Sequence, residues 1–537
     1  MYTTSERQVI GAAGTVVLGF VLCFTGLATL MLLASSGEGT GSGGLFDAYI
    51  WRIARFTLLQ AFLSTLLSVV LAIPVARALA RQRRFPGRTW LIRLAAVPLG
   101  LPALVAALGV IEIWGRQGVA NDLLSFFGLS EPVSVYGLTG ILIAHVFFNL
   151  PLSTRLMLSG LDRIPAEYWL ASANLGMPPG AVFRLVEWPV IRRLVPGIAG
   201  LVFMLCVTSF TIVLTLGGGP GATTIEVAIY QALRFDFDPP RAVALAFLQI
   251  ALTGVLLAAL SFFVRPSDEG ATAGREIRRF DGSGRRIADA AVLLPFALFV
   301  VSPMAAIAVS GLSADFSRLA ADPLLHQALL TSLVISVTSA ALCLSLAIPA
   351  AVVPRLADSR PPKATLLLAR ILPAMSSLIL LVPPVVMATG WFLILRLFAD
   401  AARFAPVIIV VINALMALPF AFRVLEPAYR THLARTGKLA LSLGVTGVHR
   451  LRWIDIAALR RPILLAFAFA MALSLGDLSA VAIFGAEGFV TLPWLLFSRM
   501  GSYRTADAAG IALILGVLCL LLTLPSTSSR GGKDLHG

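Results

Sequence analysis

The sequence predicts an all-α polytopic membrane protein of about twelve transmembrane helices, arranged as two six-helix parallel repeats. Three observations predict it. The chain has 537 residues, is 58% hydrophobic and only 13% charged, and has a mean hydropathy of +0.91. A soluble chain of that length needs far more charge to cover its surface. Apolar runs of about 20 residues, each long enough to cross roughly 30 Å of hydrocarbon, follow one another from end to end. Blocks of sequence from the first half also return, in the same order, in the second.

Twelve spans are expected, near 9–34, 56–80, 94–115, 135–157, 194–216, 242–264, 288–311, 326–353, 367–396, 404–425, 462–485 and 508–525. Pro74, Pro102, Pro349 and Pro383 fall inside such runs. Neighbouring helices can satisfy the carbonyl that a proline frees, so each run is read as one span. The first span follows a short polar stretch, Met1 to Arg7, and no A-x-A cleavage site follows it. It is expected to be an uncleaved anchor. Ser35 to Gly44 (SSGEGTGSGG) reads as an outer loop, and Arg265 to Arg286 as a polar cytoplasmic linker between the halves. The expected organisation is a first repeat over 1–264, a linker over 265–287 and a second repeat over 288–537.

Charge sets the orientation. The 42 basic residues exceed the 27 acids, for a net charge of +15. The clusters Arg77, Arg81, Arg83, Arg84, Arg88 and Arg275, Arg278, Arg279, Arg285, Arg286 fall on the side that holds the N-terminus. The positive-inside rule therefore puts both termini in the cytoplasm, and the clusters are topology signals rather than a nucleic-acid patch. Cys23, Cys206, Cys343 and Cys519 all lie in apolar runs, so neither a disulfide framework nor a metal site is expected.

The repeat is specific. Leu71-Ala72-Ile73-Pro74 returns as Leu346-Ala347-Ile348-Pro349, and Pro102 with Gly109 returns as Pro383 with Gly390. Leu150-Pro151 and Arg155 return as Leu418-Pro419 and Arg423. SANLGMPPGAVFRLVEWPVIRR (172–193) returns as ALSLGVTGVHRLRWIDIAALRR (440–461), which sets Gly176 on Gly444 and Glu187 on Asp455. Six spans per copy is an even number, so both copies share one orientation, with a pathway expected between them.

Each copy carries one long cytoplasmic loop, about 160–193 and about 428–461. Residues 165–176 (PAEYWLASANLG), with Glu167 and Ala171, read as a short amphipathic helix stopped by Gly176. A surface-parallel helix with small residues is a docking knob for a cytoplasmic partner, or simply a cover for lipid headgroups. Its duplication favours docking of a two-fold partner.

This loop resembles the EAA motif of ABC importer permeases, the segment that carries the coupling helix. Ala171, Gly176 and Pro189 match in the first copy, and Ala440 and Gly444 in the second. The sequence departs from the pattern at Leu170 and Lys438, where the motif opens with an acid, and at Ala457, where it has proline. The fused two-by-six layout is similar to the ferric-iron and thiamine permease branch. VEWPVIRRLVPG (186–197), LGGGPGATTIEVAIYQALRFDFDPPRA (216–242), LSLGDLSAVAIFG (473–485) and TLPWLLFSRMGSYRTAD (491–507) resemble its thiamine permeases.

The resemblance implies a type I ABC importer permease fold in a bacterial inner membrane. It also implies two copies of a cytoplasmic ATPase gripping the helices near 165–176 and 433–444, and a periplasmic thiamine-binding protein. Glu167, Ala171, Gly176, Glu187, Pro189, Ala440, Gly444 and Asp455 are the expected coupling-loop residues. The cargo implied is thiamine and its phosphates, with ferric iron as the alternative on the same fold.

The residues themselves contain no G-x-x-x-x-G-K-[ST], no H-E-x-x-H and no G-x-S-x-G. An ATP-driven role therefore needs a separate ATPase, and the chain is expected to carry neither a cofactor nor a covalent catalytic step. Glu112, His145 and Asp477 lie in or beside spans. Intramembrane ionisable groups are functional candidates, but an ion-coupled secondary transporter needs them at matching positions, and these are not symmetry-matched. The outer stretches near 217–241 and 485–507 are the richest in acids and aromatics. Their Glu226, Tyr230, Asp236, Trp494 and Tyr503, with Asp477, are candidates for the pathway or for docking a binding protein. Acids and aromatic rings suit a cationic two-ring cargo, and Trp and Tyr equally suit interfacial anchoring.

Overall fold

The structure is a computed structural model. It describes residues 3–35, 48–82, 85–116, 118–126, 128, 134–263, 284–359, 363–398, 401–485, 489–502 and 504–528. The expected outer loop beyond Ser35, linker residues 265–283, five of the clustered arginines (Arg83, Arg84, Arg275, Arg278, Arg279) and Tyr503 lie outside the described residues. Every regular element among the described residues is helical. Eleven helices are long and apolar enough to cross a membrane, and counting the bent pair Thr365–Leu381 and Pro384–Leu397 as one span gives twelve. The chain is a multi-pass membrane protein.

The first half of the chain forms α1 (Thr4–Ser35), α2 (Ala48–Arg81), α3 (Arg88–Leu94), α4 (Ala103–Trp114), α5 (Val119–Phe126), α6 (Leu138–Leu161), α7 (Ala166–Asn174), α8 (Pro179–Val182), α9 (Trp188–Val207), α10 (Thr211–Leu216), α11 (Ile225–Arg234) and α12 (Pro239–Phe263). The second forms α13 (Gly284–Leu312), α14 (Phe316–Ala320), α15 (Pro323–Val352), α16 (Lys363–Leu378), α17 (Pro384–Phe398), α18 (Ala401–Ser442), α19 (Gly447–Arg450), α20 (Ile456–Leu475), α21 (Ser479–Phe484), α22 (Leu492–Gly501) and α23 (Thr505–Ser528). Element lengths repeat. A four-residue helix, a five-residue π-helical turn and a twenty-residue helix follow one another in each half.

Prolines divide into two kinds. Pro74 and Pro349 sit inside continuous α2 and α15. Pro102 and Pro383 do not. Each stands at a break, with α4 starting at Ala103 and α17 at Pro384, so the runs read at 94–115 and 367–396 are each interrupted. The difference lies in the neighbours. Pro98 and Gly100 precede Pro102, and Pro383 and Pro384 are consecutive. Two missing N–H groups within one turn exceed what the turn before can absorb, whereas proline at a helix start costs nothing. The spans read at 194–216 and 462–485 also break: α9 ends at Val207 and α20 at Leu475, and short α10 and α21 follow.

The chain divides into two compact units. One comprises Met1–Leu45, Ala228–Ile250 and Asp315–Gly537, and the other Phe46–Val227 and Ala251–Ala314. Each unit thus takes its outlying first helix from the other sequence half: α1 joins the second-half helices, and α13 the first-half ones. The repeated glycines make room for them. A Cβ on Gly390 would lie 2.5 Å from the Ala28 carbonyl oxygen of α1, and one on Gly109 would lie 2.6 Å from the Pro303 carbonyl oxygen of α13. Trp391 Nε1 donates to the Phe24 carbonyl at 3.1 Å, and the two rings stack at 4.6 Å. On α13, buried Asp289 accepts from Arg81 at 2.6 Å and from Gln82 at 2.9 Å. The α2–α6–α9 core is filled by Phe147, Met157, Leu161 and Ile191, and it takes in Phe296 and Val300 of α13.

Candidate functional site

The duplicated loop is built alike in both copies. α7 and α18 each end in a left-handed glycine, Gly176 at φ +57° and Gly444 at φ +65°. Met177 N–H bonds the Ser172 carbonyl and Val445 N–H bonds the Ala440 carbonyl, both at 3.0 Å. That six-to-one bond around a left-handed residue is the Schellman arrangement, in which glycine carries no Cβ penalty. The residue before each glycine is an exposed leucine: Leu175 is 76% and Leu443 65% exposed. Tyr168 and Leu170 on α7 and Leu439 on α18 are exposed as well. Exposed apolar groups of this kind, outside the spans and repeated in register, are available for contact with a partner or with lipid headgroups.

The two copies differ in how the helix arrives. α7 is a separate nine-residue helix, whereas α18 runs 42 residues without a break from its span to Ser442. A distinct short helix was expected in both. The Asp162–Pro165 turn, which Pro165 closes in the first copy, has no counterpart in RTHLARTGK (430–438).

Of the sequence-derived loop residues, Glu167, Ala171, Gly176 and Gly444 are exposed and Pro189 is half-buried. Ala440, Glu187 and Asp455 are buried. The two acids close the π-helical turns and are held differently. Glu187 accepts from Arg77 Nε at 2.6 Å, and the Arg77 guanidinium lies 3.8 Å from the centre of the Phe183 ring. Asp455 meets His432 Nε2 at 2.8 Å and Arg450 Nε at 3.7 Å. Each acid therefore ties its loop to the long helix behind it, α2 in one case and α18 in the other.

At the opposite end of each bundle, the outer stretches are helical and largely buried, not open loops. α11 and α22 begin with the same bond: Ile225 N–H donates to Thr57 Oγ1 at 3.1 Å, and Leu492 N–H to Ser332 Oγ at 2.8 Å. Each hydroxyl satisfies one of the donors that a helix start leaves free. Glu226 is 1% exposed, and its Oε1 has no hydrogen-bond partner among the described residues. Burial pushes its carboxyl up to about 8. Tyr230 is buried, with its ring edge-on to Phe235 at 5.7 Å. Asp236 is exposed beside Arg241 at 3.6 Å. Trp494 is half-buried, 3.5 Å from the position a Gly485 Cβ would take. Asp477 sits in the α20–α21 break, accepting from Ser479 N–H at 3.0 Å, with its Oδ2 buried and without a partner among the described residues. These five residues are not brought into one constellation, and Tyr503 lies outside the described residues. Glu226 and Tyr230 share α11, and the others are spread over separate elements.

Residues 68–266 match the model of the binding-protein-dependent transport system inner membrane component family. The thiamine transport system permease protein ThiP of Brucella abortus (strain 2308) is 52% identical over 95% of this chain and 94% of its own length. The proteins of that name from Escherichia coli (strain K12) and Haemophilus influenzae are 45% identical over 89% and 38% identical over 98% of this chain, and cover 88% and 97% of their own lengths. The chain belongs to this ThiP permease family.

Two side chains that hold the repeated acids of this ThiP-family permease are not legible in its sequence. Arg77 falls in an arginine cluster that reads as a topology charge, and His432 belongs to no motif. The available signal was the Glu187–Asp455 match itself: an acid repeated in a buried register needs a cation, although a different one in each copy. His145 was a candidate relay. It bonds Ser64 Oγ at 3.0 Å and Ser209 Oγ at 2.9 Å, which ties α2 and α6 to the break after α9.

Proposed function

We propose that the chain is the fused permease of an ATP-driven importer that moves thiamine and its phosphates from periplasm to cytoplasm by alternating access. The observation that carries the mechanism is the duplicated Schellman turn with its exposed leucine, Leu175–Gly176 and Leu443–Gly444. The cargo follows from the relatives' names and their coverage of nearly the whole chain. The repeats are 1–264 and 288–537, joined by 265–287, with both termini in the cytoplasm, where the arginine-rich segments remain.

A periplasmic binding protein delivers the ligand, and two copies of an ATPase grip the coupling loops through Glu167, Ala171 and Gly176 on one side and Ala440 and Gly444 on the other. Glu187, Pro189 and Asp455 pass the displacement into α9 and α20, because each acid joins the foot of its long helix to a second span. The breaks at 208–210 and 476–478 are where such a rotation is absorbed, since a helix without continuous hydrogen bonds bends there first. Glu226, Tyr230, Asp236, Asp477, Trp494 and Tyr503 belong to the outer pathway or the binding-protein contact. ATP is hydrolysed on the separate subunit.

Uptake of labelled thiamine in cells with and without the chain tests this reading, with labelled ferric iron in parallel and with Gly176→Val and Gly444→Val. Neither glycine has an atom within 4 Å of where a Cβ would sit. A bulky residue there acts through the left-handed φ alone, at about 1–2 kcal/mol, and leaves the bundle folded. Thiamine uptake is expected to fall in the deletion and in both variants, with iron uptake unchanged. Loss of iron uptake alone would overturn the cargo, and no change in either would overturn the importer reading.

A further inference from the structure

The glycine run after the fifth span has no role in the coupling machinery, yet it lines a surface cavity. The cavity has a volume of about 580 Å³ and is bounded by Phe56, Arg116, Tyr136 and the Gly217–Ala222 loop. It lies at the end of the bundle opposite the coupling loop, because α6 begins beside it and ends at that loop.

The loop has a particular backbone. Gly217 is right-handed (φ −63°, ψ −34°) and Gly218 left-handed (φ +70°), followed by Gly219 at φ +138°. A right-handed residue followed by a left-handed one turns successive N–H groups toward one concave point, which is an anion-binding nest. Gly217 N–H is used at 2.8 Å by the Val213 carbonyl, whereas Gly218 and Gly219 N–H donate to no described residue. Glycine is required twice over here. The backbone is left-handed, and a Cβ on Gly218 would lie 2.9 Å from Tyr136 Cβ. Across the same cavity stands Arg116, exposed and without an ion pair among the described residues. Two convergent N–H donors and a guanidinium are the donor set that phosphate oxygens take, and Tyr136 lines the same cavity.

We propose that this cavity is a phosphate subsite at the outer mouth, through which the permease accepts the phosphate esters of its cargo. The proposal rests on the thiamine reading given above. Thiamine alone carries a permanent positive charge on its thiazolium ring, and Arg116 repels it. The diphosphate ester carries more negative than positive charge, so Arg116 and the nest attract it. The subsite therefore discriminates between two forms of one vitamin without touching the rings they share. A phospholipid headgroup offers the same phosphate chemistry, and cargo selectivity separates the two sources.

The test is transport by the reconstituted complex of full chain, ATPase and binding protein, at saturating loaded binding protein, with labelled thiamine and labelled thiamine diphosphate measured side by side. Arg116→Gln is expected to lower the diphosphate rate about tenfold, the value of one lost charged hydrogen bond. Its thiamine rate should stay at or above that of the unsubstituted chain. Arg116→Lys, which keeps the charge and loses the fork, is expected to fall between. Inorganic pyrophosphate should inhibit diphosphate transport by the unsubstituted chain more than by Arg116→Gln.

Unimpaired thiamine transport by the variant also shows that it is folded. Equal loss of both cargoes would overturn the subsite and assign Arg116 to a lipid headgroup or to the binding protein. An unchanged diphosphate rate would overturn it as well. If the unsubstituted chain moved neither form, the thiamine reading itself would fail, which is a different result from either.

Discussion

Glu226 and Glu187 show how burial and pairing separate two acids that look alike in sequence. Glu226 is buried with no ion pair among the described residues, and burial pushes its carboxyl from an ordinary 4.5 up to about 8. Its folded-state value is raised, so the native chain binds the proton more tightly. The stability this confers is complete below pH 4.5 and is lost as pH rises to about 8. Glu226→Gln keeps the shape and never ionises. Thermal unfolding in detergent should therefore show the variant gaining on the parent by about 1.4 kcal/mol per pH unit across that window and by nothing more above it. A parallel pH profile for the two proteins would contradict the buried, unpaired state. Glu187 is held by a cation instead. Its partner Arg77 is 2.6 Å away, and removing the acid strands a largely buried guanidinium. Glu187→Ala should cost about 3 kcal/mol, in the range for a broken buried pair, and Arg77→Met together with Glu187→Leu should recover most of it in the same unfolding experiment. The sequence placed both acids at functional stretches, but it could not separate them, because pairing with Arg77 joins residues 110 apart.

Elements differ in how far their neighbours could be read. The apolar runs named all twelve spans, because a length of about 20 apolar residues has no other common use. The breaks within spans were harder. One proline is tolerated and two near one another are not, and hydropathy does not register the difference. The buried character of α11 and α22 was also missed. Their acids and aromatics look like a wet loop until Thr57 and Ser332 are seen to anchor the first N–H of each helix. Gly109 and Gly390 were legible only as repeated letters. Their use appears when α13 and α1 are seen to lie against them at a distance that leaves no room for a methyl group. Gly109→Ala and Gly390→Ala each push a carbonyl on the neighbouring helix, and neither backbone can yield locally. Each should destabilise by about 1–3 kcal/mol, read as a lower unfolding midpoint. The Gly390 variant should also expose the stacked Trp391, red-shifting its fluorescence. A control Gly19→Ala, with nothing within 4 Å of its Cβ, should be neutral or slightly stabilising.

For the whole molecule, two features of one loop carry different parts of the proposed function. The Schellman glycine fixes the loop's shape, and the leucine before it supplies the surface a partner would cover. That separation makes the docking stoichiometry testable without disturbing the bundle. Leu175 and Leu443 are exposed, so Leu175→Asp and Leu443→Asp remove no packing within the chain. At a covered interface, each would bury an unpaired carboxylate, at about 3 kcal/mol or roughly a hundredfold in affinity. If each loop holds one ATPase, each single variant should purify with one copy and the double variant with none, as read by native mass spectrometry, while thermal unfolding of the isolated permease stays unchanged. Cargo-stimulated hydrolysis should vanish in both single variants, because one ATPase copy lacks the partner face that a two-fold engine closes. Two copies retained on the double variant would place the dock elsewhere, and the leucines would then be lipid contacts. The unequal construction of the loops sharpens the expectation. α18 is one continuous helix from span to glycine, so a displacement at Leu443 reaches its span along a single element, whereas α7 connects to α6 through a turn. Arg435→Pro together with Thr436→Pro, a consecutive pair like Pro383–Pro384, interrupts α18 before Ser442 and should therefore keep both ATPase copies bound and still abolish transport. That separation of binding from coupling is one a merely adhesive loop would not show.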